Sequence, residues 1–304
     1  MMNSQLTTVM YHYVRPMPDP DFPYLKACDL ARFIAQLDYL QENYRVVGWP
    51  DVAAHLGGKA SLPDRACLLT FDDGLRDAYT HIYPLLCRRG LSGLFFPMAR
   101  TPEQGLAGVQ TLQLIANKFS DPVEFESMLF AKLSAGERDQ FMTDIAREKA
   151  EYPPDRFGEN KLRSLRRVIN TYMFRELEPV LEEICRERIG EPKELGRAFY
   201  LGDGDIREMV AGGMHFGGHG ITHYRMTRLT PDELHKELAA SREFLAPYTS
   251  GPLALSYPYG DHNDAVMAAV RTAGFVAAFA DKGEGLADSV YALPRVDTIH
   301  VPPK

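Results

Sequence analysis

The sequence predicts an α/β fold that is interrupted by a largely helical segment. Three observations lead to this prediction. Short apolar segments rich in β-branched and aromatic residues alternate with segments of helical spacing in both outer parts of the 304-residue chain. One of these apolar segments, Cys67–Phe71, runs directly into two carboxylates. Between residues 100 and 199 helical periodicity dominates, and Gln, Arg and Glu become more frequent.

The N-terminal part predicts a strand, a helix and a second strand. Thr7–Tyr13 predicts the first strand, with His12 near its carboxyl end. Leu30–Glu42 predicts a helix, because its apolar residues recur on one face and Asp29 precedes it as an N-cap. Arg45–Val47 predicts the next short strand.

Two adjacent carboxylates, Asp72 and Asp73, follow the buried strand Cys67–Phe71. Neighbouring side chains on a strand point to opposite faces, so we expect that both cannot lie in the core and that the strand ends near Asp72. Gly74 then opens a turn, and Arg76–Arg89 predicts a helix. Ligands of α/β proteins bind at the carboxyl ends of strands. An acidic helix N-terminus would nevertheless give the same pattern.

The central part of the sequence, residues 100–199, predicts an α-helical insertion. The residues on either side of it, 1–99 and 200–304, are predicted to form one domain. The strand Gly93–Pro97 precedes the insertion, and the strand–helix–strand order implies parallel pairing with a right-handed crossover. The insertion could be a structural cap, a substrate lid or a dimer surface, and the sequence does not choose among them. Its predicted helices are Leu112–Phe119, Val123–Leu133, Glu137–Glu151 and Lys161–Arg188.

After the insertion, strands and helices alternate again. Thr230 and Glu233 form the capping box of one helix. The predicted helices are Asp205–Ala211, Pro231–Leu245 and Asp264–Ala273, and the predicted strands are Met214–Gly218, Leu253–Tyr257, Phe275–Ala280 and Tyr291–Asp297.

Charge and composition exclude several classes of protein. A net charge of −7 without a basic cluster argues against a nucleic-acid partner. No apolar run approaches the ~20 residues of a membrane span. The first residues lack the pattern of a signal peptide. The four cysteines have no CxxC spacing, so we expect reduced thiols and a cytoplasmic protein.

Two further segments suggest a site. His219 and His223 have i, i+4 spacing, which on a helical turn would let them share a metal, although such pairs are more often structural. Leu255–Tyr257 predicts a strand that runs into Pro258-Tyr259-Gly260, a turn that can direct a backbone N–H at a ligand. An ordinary strand-to-loop corner would look the same.

Together these segments resemble the polysaccharide deacetylase superfamily, also called NodB-homology or carbohydrate esterase family 4. Thr70-Phe71-Asp72-Asp73-Gly74 matches its first motif, His219-Gly220-Ile221-Thr222-His223 its second, and Pro258-Tyr259-Gly260 the end of its third. The resemblance covers roughly residues 5–100 and 200–300. It implies an incomplete or distorted (β/α) barrel, in agreement with the alternating elements.

The resemblance also implies a metal-dependent hydrolysis of an acetamide on an amino sugar or saccharide. Asp73, His219 and His223 would bind the metal, with Zn²⁺ as first expectation and Co²⁺ or Ni²⁺ as alternatives. Asp72 would be the general base, and the Tyr259 N–H would help to hold the oxyanion. Without an export signal, a nucleotide-linked or lipid-linked sugar is favoured over wall polymer.

The sequence departs from the family pattern at several positions. Ser256 stands where the third motif has an Arg that tethers the base. Arg295 is the candidate substitute and is also assigned to the substrate site, although a surface ion pair is an equal alternative. His300 loosely matches the general acid, but it could be a tail histidine without a role. Asp281 is a weak candidate for the fourth motif. His12 could face substrate or simply lie at a sheet edge.

Two alternatives to a sugar deacetylase remain. One is an amidohydrolase of the same superfamily that acts on a cyclic amide, which the complete Asp-His-His set argues against. The other is a binding protein with a vestigial site, for which the missing Arg at Ser256 is the best support. An oligomer formed through the helical insertion is also open.

Overall fold

The computed structural model describes residues 6–22, 25–118, 122–151, 165, 168–170, 174–281 and 289–303. The chain divides into two units. The first contains Met1–Met17, Lys26–Pro102 and Arg197–Lys304, and the second contains Pro18–Leu25 and Glu103–Gly196. No helix within the described ranges is long and apolar enough to cross a membrane.

A parallel sheet forms the centre of the first unit. The strands of this unit are β1 (Leu6–Tyr11), β2 (Val14–Arg15), β3 (Cys28–Asp29), β4 (Arg45–Val46), β5 (Ala66–Asp73), β6 (Leu94–Pro97), β7 (His215–Phe216), β8 (Ala254–Ser256), β9 (Ala277–Phe279) and β10 (Val296–Asp297). The strand order of the sheet is β10-β1-β5-β6-β7, and β4 pairs with the beginning of β5. All of these pairings are parallel.

Backbone hydrogen bonds continue this strand order into a ring. Gly218, just after β7, donates to Ala254 and accepts from Ser256, both at 2.9 Å, so the chain there runs beside β8. Strands β8 and β9 are paired in parallel. A bridge between Phe279 and Leu293 then leads towards β10. At two places the ring is closed by a single bridge instead of a continuous pair of strands. This irregularity fits the predicted distorted (β/α) barrel.

Alternate residues of the strands pack on the two sides of this ring. Leu68 of β5 and Phe96 of β6 lie in one buried cluster, which also includes Phe279 of β9. Phe71 of β5 lies in another, where its ring stacks on that of Phe95 at 4.6 Å. The second cluster also contains the apolar face of the first helix. The two-residue period of a strand therefore separates an inner core from the layer beneath the helices.

The helices of both units follow the sequence prediction in most places. Asp29 caps the first helix by accepting from the Ala31 N–H, and Thr230 and Glu233 form the predicted capping box. The predicted helix Arg76–Arg89 is instead a π-helical segment, Ala78–Ile82, followed by a short α-helix. The helices are α1 (Leu30–Asn43), α2 (Trp49–Leu56), α3 (Tyr83–Arg88), α4 (Gly108–Lys118), α5 (Pro122–Lys132), α6 (Ala135–Glu151), α7 (Phe174–Arg188), α8 (Pro192–Phe199), α9 (Asp203–Ala211), α10 (Pro231–Leu245) and α11 (Asp264–Thr272).

The second unit is mostly helical in the described part of residues 103–196. Helix α4 packs against α7, and α5 contacts both of them. The boundaries of this unit lie close to the predicted insertion 100–199, but the unit also includes the Pro-containing segment Pro18–Leu25. The second half of the predicted helix Lys161–Arg188 is α7, whereas most of residues 161–173 lie outside the described residues.

Candidate active site

The two carboxylates at the end of β5 are both buried, which corrects the expectation from the sequence. The exposed fractions of Asp72 and Asp73 are 4% and 2%, and the strand continues through Asp73. Asp73 has a φ of 70°, in the left-handed region. This conformation breaks the strand's alternation of faces, so neighbouring carboxylates can both lie inside the protein.

Asp73 lies beside both predicted histidine ligands. One ligand atom from each of Asp73, His219 and His223 can be chosen so that all three lie within 4.8 Å of one another. The Oδ1 atom of Asp73 is 3.3 Å from the Nε2 atom of each histidine. The Nδ1 atom of His219 is 2.8 Å from the backbone oxygen of Ser256, which fixes this ring and presents Nε2 to Asp73.

The chemistry of these atoms fits a divalent metal ion. Asp73 Oδ1 and His219 Nε2 are buried and have no hydrogen-bond partner. When His219 is neutral and its Nδ1 donates to Ser256, Nε2 is an acceptor, so two electron-rich atoms face each other. A cation between them would remove this conflict. One carboxylate and two imidazoles form a donor set that suits Zn²⁺ and related ions.

Electrostatics keep Asp73 ionised. Burial raises the pKa of Asp73, but the adjacent His219 and His223 side chains oppose this effect, and the resulting pKa is well below its usual range. Burial lowers the pKa of His219, yet Asp73 and Asp72 more than offset this and leave the pKa above its usual value. The cluster is therefore a buried anionic position that attracts positive charge.

The histidine pair does not lie on a helical turn, contrary to the expectation from its spacing. Both residues belong to a loop between β7 and the 3₁₀ turn Met226–Arg228. Positive φ angles at Gly220 (72°) and His223 (61°) fold this loop back on itself. The ring centroids of His219 and His223 are nevertheless 4.9 Å apart. A tight loop thus achieves the proximity that a helix would have given.

Asp72 is held by a buried ion pair with Arg295. The guanidinium donates from Nη1 to Oδ1 and from Nη2 to Oδ2, both at 2.8 Å. It also donates to Ser256 Oγ at 3.0 Å and Asp281 Oδ1 at 3.1 Å. Because Arg295 is only 1% exposed, its assignment to the substrate site is wrong. It lies behind Asp72, where it can orient the carboxylate.

Ser256 connects Asp72 with the histidine ligands. Its hydroxyl donates to Asp72 Oδ2 at 3.1 Å and accepts from Arg295, while its backbone oxygen faces His219. Burial raises the pKa of Asp72, but the charges of Arg295 and His219 and the hydrogen bonds from Arg295 outweigh it and lower the pKa overall. Asp72 is therefore an oriented and ionised carboxylate.

The two candidate histidines outside the second motif lie in different surroundings. His12, just after β1, has its Nε2 atom 3.9 Å from Asp72 Oδ2, and its side chain is 42% exposed. His300 is exposed, and its neighbours are held by α1, whose Gln36 donates to the Thr298 carbonyl at 2.7 Å. No described contact joins His300 to Asp72. The structure therefore gives the general-acid assignment of His300 no support.

Tyr259 lies against the histidine pair in a strained conformation. Its ring is 4.7 Å from that of His223, and the guanidinium of Arg225 lies 4.6 Å above the Tyr259 ring. Its φ is 60°. Among the described residues, Asp73, His223 and Tyr259 are three of the four non-glycine residues with positive φ. Such strain concentrates at functional sites and requires support from the surrounding structure.

Sequence reasoning missed two side chains around the site. Arg225 lies two positions after His223, but no motif singled it out. Glu237 lies on the buried face of α10 and bonds to the loop between the histidines. A glutamate among the apolar positions of an amphipathic helix is the signal that could have revealed it.

Comparison with known families agrees with these observations. The family model described as polysaccharide deacetylase matches residues 187–278, which include His219, His223 and Tyr259. Residues 187–278 are therefore similar to the polysaccharide deacetylase family. The matched segment ends before Arg295 and begins after Asp72 and Asp73, so the structure is what joins these residues to the site.

Relatives and solved structures extend the likeness. The putative polysaccharide deacetylase YxkH of Bacillus subtilis is 28% identical over 107 residues, which is 34% of this chain and 38% of that protein. The chain thus matches less than half of this curated relative.

The fold is shared with solved deacetylases over 96% of the chain. Streptococcus pyogenes deacetylase PplD, in complex with acetate, has a TM-score of 0.60 at 16% identity, with 91% of that chain covered. IcaB from Ammonifex degensii has a TM-score of 0.54 at 20% identity, with 92% covered. At these identities the likeness concerns the (β/α) barrel fold.

Breaking the buried ion pair should destabilise the protein. We expect Arg295→Met to lower the free energy of unfolding by about 3–5 kcal/mol at neutral pH, because it leaves the Asp72 charge buried without its partner. The double variant Asp72→Asn with Arg295→Met should recover part of this loss. Urea unfolding of the two variants and the wild type measures both effects.

The loss of stability in Arg295→Met should depend on pH, because the pKa of Asp72 is lowered in the folded protein. A carboxyl group whose pKa is lower in the folded state stabilises the fold above its unfolded pKa, and this stabilisation disappears as the pH falls through the folded value. The difference between wild type and Arg295→Met should therefore shrink below about pH 4. An equal difference at neutral and acidic pH would contradict the ion-pair account.

Proposed function

We propose that the protein is a metal-dependent hydrolase that removes an N-acetyl group from an amino sugar or saccharide. One observation carries this proposal above the others. A buried Asp-His-His donor set lies at the end of the strand that also presents the oriented carboxylate of Asp72. This combination supplies a metal position and a proton acceptor side by side.

In this proposal Asp73, His219 and His223 hold the ion. A divalent ion bound there would polarise the amide carbonyl and lower the pKa of a water molecule. Burial of the three side chains excludes bulk water from the donor atoms, which strengthens their interaction with a cation. The contact of His219 with the Ser256 carbonyl fixes which of its nitrogens faces that position.

Asp72 acts as general base in the proposed reaction and takes a proton from the attacking water. Its lowered pKa means that the carboxylate is ionised at neutral pH and available as an acceptor. Arg295 and Ser256 fix its orientation by three hydrogen bonds. A base that is immobilised in this way needs little reorganisation when the water arrives.

His12 is the better candidate for the acid that protonates the leaving amine. Its imidazole lies on the accessible side of Asp72, and its partial exposure allows contact with substrate. The sugar nitrogen must gain a proton as the C–N bond breaks, and an imidazolium is a common donor in such a step. We therefore assign this role to His12 in place of His300.

The backbone N–H of Tyr259 keeps its proposed role, which is to help hold the oxyanion.

The proposed substrate class rests on the similarity to polysaccharide deacetylases. We propose an N-acetylated amino sugar, which is either linked to a nucleotide or lipid or part of a polymeric saccharide. Acetate, which is bound in the structure of PplD, is the product that this reaction would release. The binding-protein alternative loses its main argument, since Arg295 contacts Asp72 from a different part of the chain.

Substitution of the two adjacent carboxylates should separate metal binding from catalysis. Asp73→Asn should lose the bound metal, because a neutral amide replaces the anionic ligand. Asp72→Asn should retain the metal and lose activity by about 10²–10⁴-fold, because it cannot accept the proton. Metal content and acetate release from N-acetylated sugars measure the two effects. An active Asp72→Asn variant would disprove the assignment of the base.

Parallel substitutions of the two candidate histidines test the assignment of the acid. His12→Asn should reduce the maximal rate by about 10²–10⁴-fold with its metal content unchanged, since it removes the proton donor. His300→Ala is the matched control, and we expect it to keep the rate of wild type. The rates are measured at saturating substrate and full metal loading. The reverse order of the two effects would restore the assignment to His300.

A further inference from the structure

Helix α10 presents a buried carboxylate to the loop that carries the histidine pair. Glu237 is only 6% exposed. Its Oε2 atom accepts from the backbone N–H of Ile221 and, at 3.2 Å, from that of Thr222. Its Oε1 atom accepts from the Thr222 hydroxyl at 2.7 Å. The carboxylate thus bonds to two of the three residues that separate His219 from His223.

The third residue of the loop is held by the next turn of the same helix. The Gly220 N–H donates to Ser241 Oγ at 3.0 Å, and the Ser241 hydroxyl donates to the Glu237 carbonyl at 2.9 Å. Glu237 and Ser241 are four positions apart and both belong to the buried face of α10. One face of one helix therefore receives the N–H groups of Gly220, Ile221 and Thr222.

The loop approaches this helix too closely for a side chain at its first position. A Cβ atom on Gly220 would lie 2.6 Å from Glu237 Oε2, and the φ of Gly220 is 72°. With the loop backbone fixed on α10, the imidazoles on either side of it extend to Asp73. The carboxylate of Glu237 thus sets the position of the backbone from which both imidazoles extend.

Ordinary structural roles explain Glu237 poorly. It lies in the interior of α10, so it is not an N-cap, and Thr230 with Glu233 already fills that role. None of its contacts in the described part of the chain is a salt bridge to a cation. A buried carboxylate is costly unless it is hydrogen-bonded, and the donors that satisfy Glu237 all belong to this loop.

We propose that Glu237 is a positioning residue for the metal centre. It fixes the loop Gly220–Thr222 by hydrogen bonds and so sets the spacing of His219 and His223, without itself touching the ion. This inference rests on the proposed function, because it assumes that the two histidines bind a metal. Ser241 assists by holding the Gly220 N–H.

Metal affinity of variants on one helix tests this inference. Glu237→Ala removes the acceptors and should weaken Co²⁺ and Zn²⁺ binding by about 10–100-fold, the effect typical of residues that orient ligands. Glu237→Gln can still accept from the backbone N–H groups through its amide oxygen and donate to Thr222, so it should lose less than about tenfold. Glu243→Gln, exposed on the same helix, is the matched control and should bind like wild type.

The readouts separate positioning from a general loss of stability. Co²⁺ affinity is measured by titration through the absorption spectrum of the bound ion, and Zn²⁺ affinity is measured by competition. Both measurements are made at a temperature at which circular dichroism shows every variant folded. Hydrogen exchange of the loop peptide in metal-free protein should be faster in Glu237→Ala than in Glu243→Gln. If Glu237→Ala does not fold, Ser241→Ala tests the same loop through the Gly220 N–H, and it should also weaken metal binding and speed exchange.

Each outcome decides the inference. The role of α10 would be overturned if folded Glu237→Ala, or Ser241→Ala in its place, bound metal as tightly as wild type. The proposed function would remain intact in that case. Equal losses in Glu237→Ala and Glu237→Gln would assign the effect to charge and contradict positioning by hydrogen bonds. A wild-type protein that binds neither Co²⁺ nor Zn²⁺ would overturn the proposed function and this inference together.

Discussion

Burial of Asp72 and Asp73 side by side puts two negative charges into the protein interior, and each of them requires compensation. Asp72 receives it from the guanidinium of Arg295, which binds both carboxylate oxygens. Asp73 faces His219 and His223 and has an oxygen with no hydrogen bond. The same buried pair thus contains one carboxylate that the chain satisfies by itself and one that is suited to a metal ion.

The barrel makes this arrangement feasible because distant segments converge at one end of β5. Arg295 and Asp72 are separated by 223 positions in the chain, and Ser256 and Asp72 by 184. The backbone is strained at Asp73, His223 and Tyr259, where positive φ angles cost about 1–3 kcal/mol each. Hydrogen bonds from the surrounding elements, including those of Glu237 to the histidine loop, offset part of this cost.

The sequence was informative where local pattern determines local structure. The capping box of α10, the N-cap of α1 and the alternation of strands and helices were predicted from short segments and are confirmed. The burial of both Asp72 and Asp73 was not predictable, because the alternation rule assumes a regular strand and Asp73 leaves it. The histidine loop was misjudged for a similar reason, since i, i+4 spacing alone does not distinguish a helical turn from a loop closed by Gly220.

Long-range contacts account for the remaining differences. The tether of Asp72 could be suggested from the sequence only as a candidate, since nothing local to Arg295 shows that it is buried. His12 and His300 could not be ranked, because their distance from Asp72 depends on how β1 and β10 end. Glu237 carries no motif, and its contact with the loop appears only when α10 packs against it.

The central claim is that this site performs metal-dependent deacetylation, and the most direct test is acetate release by wild-type protein before and after removal of its metal by a chelator. The assay uses a panel of nucleotide-linked, lipid-linked and polymeric N-acetylated sugars. The account predicts that the stripped protein releases no acetate from any of them and that one equivalent of Zn²⁺ or Co²⁺ restores release from at least one. Acetate release that persists without metal, or a protein that never retains an ion and never releases acetate, would contradict it.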